Sequence, residues 1–283
     1  MKKKLLIVGL LVLALALGTT SNALASKGKV QIAYVEWACA VASANVVKAV
    51  LQEKLGYEVE LTSVSAAAMW QAIASGDVDG MTTAWLPVTH GHYLKRFENR
   101  LEDLGVNLDG AGIGLVVPTY VTIDSIDEMN AHADKFEGRI VGIDPGAGIM
   151  SKTEEAIKEY GLSNFTLVES TGAMMTAVLR DKIRNNEWVA VTGWSPHWKF
   201  ATWDLKYLED PKGIYGGAEQ IHTIVRKGLK EDMPEVYHVM DNFNWTLADI
   251  GEVQGWNAEG ADPYDSGKRW IEENPEKVKA WLP

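Results

Sequence analysis

Cysteine is nearly absent: Cys39 is the single one in 283 residues, so no internal disulfide can form, even in an oxidising compartment. Basic charge is scarce too. Lys and Arg number 27 against 38 Asp and Glu, a formal charge of −11 with no basic run beyond the first four residues, which makes nucleic acid and anionic membrane surfaces poor partners. Beyond the first residues no apolar stretch is long enough to cross a bilayer, and there is no internal repeat or low-complexity tract. The sequence has no Gly-x-Ser-x-Gly elbow and no Gly-x-x-x-x-Gly-Lys-Ser/Thr phosphate loop. Cys39 has no evident His partner, and His90-Gly91-His92 lacks a further Cys or His at ligand spacing. No catalytic residue, cofactor or metal is therefore expected.

What is present begins with a leader. Met1-Lys2-Lys3-Lys4 precedes an apolar run, Leu5 to Leu17, and small residues ending in Ala23-Leu24-Ala25. That layout predicts a secretory signal over 1–25, cut after Ala25, and a periplasmic mature chain. No cysteine stands at the cut, so no lipoprotein anchor is expected.

The rest alternates strand-like and helix-like stretches, which predicts an α/β fold with parallel strands. Strands are expected at 30–37, 58–64 and 78–85, with helices at 40–55, 66–75 and 91–101. A glycine-rich approach, 110–114, leads into a strand from Leu115 to Val121. A second unit follows, with strands at 139–143, 165–169 and 189–194 and helices at 149–160 and 173–185. His222–Arg226 carries the chain back, and the remainder reads helical with breaks near Gly255–Pro263 and Pro275. Two doubly wound units with two crossings outline a hinged, two-lobed architecture. The lobes would be 29–117 plus 227–283, and 118–226, with the cleft between them as the ligand site.

Three of the eleven tryptophans sit where an apolar strand runs into a turn: Trp37, Trp85 before Leu86-Pro87, and Trp194 before Ser195-Pro196. The carboxyl ends of strands are where open α/β sheets bind ligands. Three π faces from distant parts of the chain suggest a box for a cation that donates no hydrogen bond. Trp70, Trp188, Trp198, Trp203, Trp245, Trp256, Trp270 and Trp281 read as packing residues. In Gly142-Ile143-Asp144-Pro145-Gly146-Ala147-Gly148-Ile149, a strand ends and a helix begins, so free amides at the helix start can meet a carboxylate. His90, five residues after Trp85, is a second candidate donor for that carboxylate. His92 and His197 read as structural or solvated.

Val35-Glu36-Trp37, Ala84-Trp85-Leu86-Pro87-Val88-Thr89-His90, Gly142 to Ser151, Thr192-Gly193-Trp194-Ser195-Pro196-His197-Trp198, Leu205 to Pro211 and Ile221 to Gly228 resemble the signatures of glycine betaine substrate-binding proteins of ABC transporters. The resemblance spans nearly the whole mature chain. It implies a type II-like periplasmic binding protein fold that closes on a quaternary ammonium compound and delivers it, as a monomer, to a permease. It also implies that Trp37, Trp85 and Trp194 form the aromatic box, while His90 and the amides of Gly148 and Ile149 hold the carboxylate. Choline-binding relatives tend to carry an acid two residues after the first box tryptophan. Cys39 stands there instead, which favours a carboxylated ligand. Choline, carnitine, ectoine or a sulfonium analogue remain alternatives on the same fold. Rivals of another class are a secreted enzyme and a carbohydrate-binding module.

Overall fold

The computed structural model describes residues 27–283; the expected leader, 1–25, lies outside the described residues. The first unit runs β1 (Lys29–Tyr34), α1 (Ala38–Ala49), β2 (Glu58–Ser63), α2 (Ala66–Ser75), β3 (Gly80–Leu86) and α3 (Gly91–Phe97). A long strand, β4 (Leu101–Pro118), leads into β5 (Arg139–Val141), α4 (Gly148–Glu159), β6 (Thr166–Val168), α5 (Gly172–Arg184), β7 (Ala190–Ser195), α6 (Lys199–Thr202) and β8 (Leu205–Tyr207). The chain returns through β9 (Glu219–Arg226). It ends in five helices: α7 (Leu229–Asp232), α8 (Pro234–Asn242), α9 (Leu247–Ala258), α10 (Pro263–Glu273) and α11 (Pro275–Trp281).

Among the described residues the strands order as β2-β1-β3-β9-β4-β7-β5-β6, with β8 beside β4. β1 pairs parallel with β2 and β3, and β5 pairs parallel with β6 and β7, as expected for two doubly wound units. The antiparallel pairings all belong to β4 and β9, the two strands that join the units. β4 changes partner along its length. Leu101–Ala111 lies against β9, and Gly112–Val116 lies against β7.

Here the structure departs from the sequence reading. The glycine-rich approach at 110–114 is strand, continuous with the expected strand at 115–121. Gly105 and Gly110 adopt φ of +94° and +81°, and the register against β9 shifts three times. Bulges of this kind bend a strand and break its side-chain alternation, so the pattern reads as loop. Because β4 already starts at Leu101, α3 stops at Phe97 rather than continuing to 101. A further break separates α8 from α9, where Thr246 and Asp249 form a reciprocal capping box.

The central strand β3 is buried along its whole length, as a strand covered on both faces must be. α1 covers it, and α10 packs on α1 so closely that a Cβ at Gly267 would lie 2.6 Å from the Asn45 carbonyl oxygen. α8 to α11 thus complete the hydrophobic cover of the first unit. Trp270 and Trp281 stack at 5.6 Å and 7° within it. Among the described residues no helix is long and apolar enough to cross a membrane.

Candidate functional site

Trp85 is the penultimate residue of β3 and Trp194 the penultimate residue of β7, each followed within two residues by a cis X–Pro peptide. Trp37 occupies the N-cap of α1 in extended backbone, just past the end of β1. All three rings line one cavity, together with His90, Gly148 and Ile149, the other three residues singled out in the sequence. Cys39, Thr89, Ile113, Ile143 and Ala147 complete the walls, which are almost wholly apolar around about 320 Å³ of open space, mouth included.

His90 is fully buried, and the structure fixes its chemistry. Its Nδ1 accepts the Trp85 backbone N–H at 3.0 Å, so the ring proton is assigned to Nε2. Nε2 has no hydrogen-bond partner among the described residues. Burial, with a smaller contribution from His92, pushes the ring pKa down to about 3, so His90 is a neutral donor at any physiological pH. The ring is held by Trp37 stacked over it at 5.7 Å and by the edges of Trp70 and Tyr93. Trp70, expected to be core, therefore also backs a cavity residue.

The opposite wall is the start of α4. Its N-cap, Ala147, offers no side-chain cap, so the first amides and the positive end of the helix dipole lie at the cavity. Gly148 is there because nothing larger fits: a Cβ would sit 2.1 Å from the Thr89 carbonyl oxygen. Two hydrogen bonds tie this wall to the first unit. Trp37 Nε1 donates to Asp144 at 3.0 Å, and Tyr93 Oη donates to the Gly146 carbonyl at 3.1 Å.

Three residues of the site were given no role from the sequence. Glu219, wholly buried at the start of β9, accepts the backbone N–H groups of Val88 and Thr89 at 2.9 and 2.7 Å and the Thr89 hydroxyl. It thereby fixes the turn that presents His90. Thr89 supplies the carbonyl against which Gly148 packs. Lys199 is fully buried, with its Nζ 4.4 Å from the centre of the Trp194 ring. His92 is exposed and lies on Tyr93, whereas His197 is buried with its ring meeting Trp194 edge-on, at 4.8 Å and 75°, so neither lines the cavity. Cys39 does line it, and desolvation pushes its thiol up to about 12, so it brings no charge.

A sequence profile described as the substrate-binding domain of the ABC-type glycine betaine transport system, OpuAC, matches residues 28–273. The chain belongs to this family. The family is one of transport substrate-binding domains. A curated relative, the glycine betaine/carnitine transport binding protein GbuC of Listeria monocytogenes, is 48% identical over 162 residues. That match covers 56% of this chain and 54% of the relative, so the chain spans about half the length of GbuC. Among solved structures, lactococcal OpuAC in its closed conformation with glycine betaine is 41% identical, with a TM-score of 0.86 over 90% of this chain and all of that one. The glycine betaine/L-proline-binding protein ProX from Borrelia burgdorferi is 40% identical, with a TM-score of 0.87 over 90% of this chain and 97% of its own. A choline-binding protein in complex with choline is 26% identical, with a TM-score of 0.83 over 89% of this chain and 91% of its own. The expected two-lobed binding-protein fold is thus the fold of this OpuAC-family chain.

Proposed function

We propose that this protein captures glycine betaine, or a closely related carboxylated quaternary ammonium compound, and delivers it to an ABC permease. The observation that carries the reading is the convergence of Trp37, Trp85 and Trp194 with His90 and the uncapped start of α4 on one apolar cavity. A trimethylammonium group has no N–H to donate, so polarisable ring faces must meet its charge. Each such contact contributes about 0.5–2 kcal/mol, the upper figure when desolvated. A carboxylate needs donors. The Nε2–H of neutral His90 and the amides of Gly148 and Ile149 supply charge-assisted hydrogen bonds. The neutral Cys39 thiol offers no compensation for a ligand that is purely cationic, which favours a zwitterion.

The two ends of the ligand are served from both units: Trp37, Trp85 and His90 from the first, Trp194, Gly148 and Ile149 from the second. Only the closed arrangement satisfies both ends, so binding stabilises closure. We assign the lobes as 29–111 with 219–283, and 112–218, which moves the bounds expected at 117/118 and 226/227. β9 pairs with β3 and with the first half of β4, whereas β4 from Gly112 onward pairs with β7, so the crossings fall inside β4 and just before β9. The leader at 1–25 would export the chain to the periplasm, where it would act as a monomer.

Calorimetric titration of the ligand-stripped protein with glycine betaine, choline and proline tests the reading. Micromolar or tighter betaine binding, with choline much weaker, is expected. Tight choline binding without betaine would remove His90 and the α4 amides from their roles, and binding of none of the three would return the ligand to unknown.

A further inference from the structure

Lys199 opens α6 beneath Trp194, and no part of its side chain reaches solvent. Its Nζ has no hydrogen-bond partner among the described residues. Instead it lies 4.4 Å from the centre of the Trp194 ring and 5.1 Å from that of Phe200. An ammonium buried without an anion is costly, so such a group responds strongly to any second charge nearby.

The titratable neighbours provide no counter-charge. Cys39, from the start of α1, is a neutral thiol. His197, in the turn before α6, is held neutral by burial and by Lys199 itself, and its Nδ1 accepts the Lys199 backbone N–H at 3.1 Å. The aromatic faces are therefore the main stabilisation of the Lys199 ammonium, and Trp194 is also a wall of the ligand cavity. A ring that already holds one cation holds a second less well, because both draw on the same π density and repel each other through a poorly solvated interior.

We propose that Lys199 selects ligands by net charge, its ammonium behind Trp194 opposing a cation such as choline more than a zwitterion such as glycine betaine. The inference rests on the quaternary ammonium reading above. A betaine carries its own carboxylate, which faces the same field with opposite sign and offsets part of the repulsion. Choline carries no such group. Desolvation brings the Lys199 pKa down to about 7, with the nearby Cys39 thiol acting in the opposite direction. Lys199 is therefore mostly charged at lower pH and mostly neutral in mildly alkaline solution, so the discrimination is strongest in acid and fades as pH rises.

The test compares wild type with Lys199→Met, which keeps the length and packing of the side chain. Calorimetry with choline and glycine betaine runs from about pH 6 to about pH 9, a range that brackets the Lys199 titration. Wild-type affinity for choline should rise roughly tenfold across that range and affinity for betaine distinctly less. The variant should show flat profiles, with its choline affinity at the acid end equal to that of wild type at the alkaline end. Choline binding to wild type near neutrality should also release protons, read by repeating the titration in buffers of different ionisation enthalpy. That measurement decides the matter even if the variant fails to fold. Choline binding with no proton release, and a choline-to-betaine ratio independent of pH and of residue 199, would overturn the role of Lys199 while leaving the ligand reading intact. Failure of wild type to bind either compound at any pH would overturn both.

Discussion

Trp85 and Trp270 are buried to nearly the same degree, 3% and 0% exposed, yet they sit in different kinds of surroundings. Trp270 belongs to a cluster at the C-terminal end, where it stacks on Trp281 and meets Trp245 edge-on at 6.1 Å, while Phe243 packs against both of those partners. Each ring there finds its partner in another ring. Among the described residues Trp37, Trp85 and Trp194 make no such pair with one another. They stand around open space, and Trp37 and Trp194 meet histidines instead. Burial alone does not separate a packing tryptophan from a binding one. The separation lies in where the ring leaves the backbone: from helices α10 and α11 and the connection between α8 and α9 in the C-terminal cluster, and from strand ends or just beyond them in the cavity.

That contrast breaks in specific ways. Replacing Trp270 by Ala should cost about 3–5 kcal/mol of stability in denaturant unfolding, as for other large core deletions, with betaine affinity unchanged within about twofold. A parallel loss of affinity would mean that the C-terminal cluster shapes the cavity. Gly148→Ala should do the reverse. The added methyl overlaps the Thr89 carbonyl, so approach of the two walls is blocked and betaine affinity falls about a hundredfold, within the range seen for overpacking, while unfolding of the ligand-free chain changes little. Wild-type affinity in that variant would show that the close contact plays no part in binding. Trp85→Ala should weaken betaine by well over tenfold, the loss of one desolvated cation–π face and its burial, as read by calorimetry. His90→Ala should weaken betaine by roughly tenfold and choline less, because only betaine presents an acceptor to Nε2. Equal losses for the two ligands would contradict the carboxylate role.

Much of this site was legible in the sequence because its chemistry is local to the chain. Each box tryptophan lies at or just beyond the end of a buried strand, and the α4 start announces itself by Gly146-Ala147-Gly148 after an apolar strand. Strands and helices of both units followed from hydrophobic alternation and stop signals such as Gly76 after α2. The parts that escaped are those whose partners are remote. Glu219 acts on a turn 130 residues away, and Glu in Gly-Gly-Ala-Glu reads as surface. Lys199 sits between two aromatic residues in a stretch that resembles an exposed turn, and only the fold places Trp194 and Cys39 around it. β4 was half hidden because bulges at glycines erase the alternation that marks a strand.

The central claim is that the three rings recognise charge, not merely shape. The direct measurement is calorimetric comparison of glycine betaine with tert-butylacetate, its isostere in which carbon replaces the quaternary nitrogen. The carboxylate and the volume are the same, and only the positive charge is lost. With three desolvated ring faces at about 0.5–2 kcal/mol each, betaine should bind on the order of a hundredfold more tightly. Equal affinities for the two compounds would contradict the account, leaving the cavity as an apolar pocket with a carboxylate clasp.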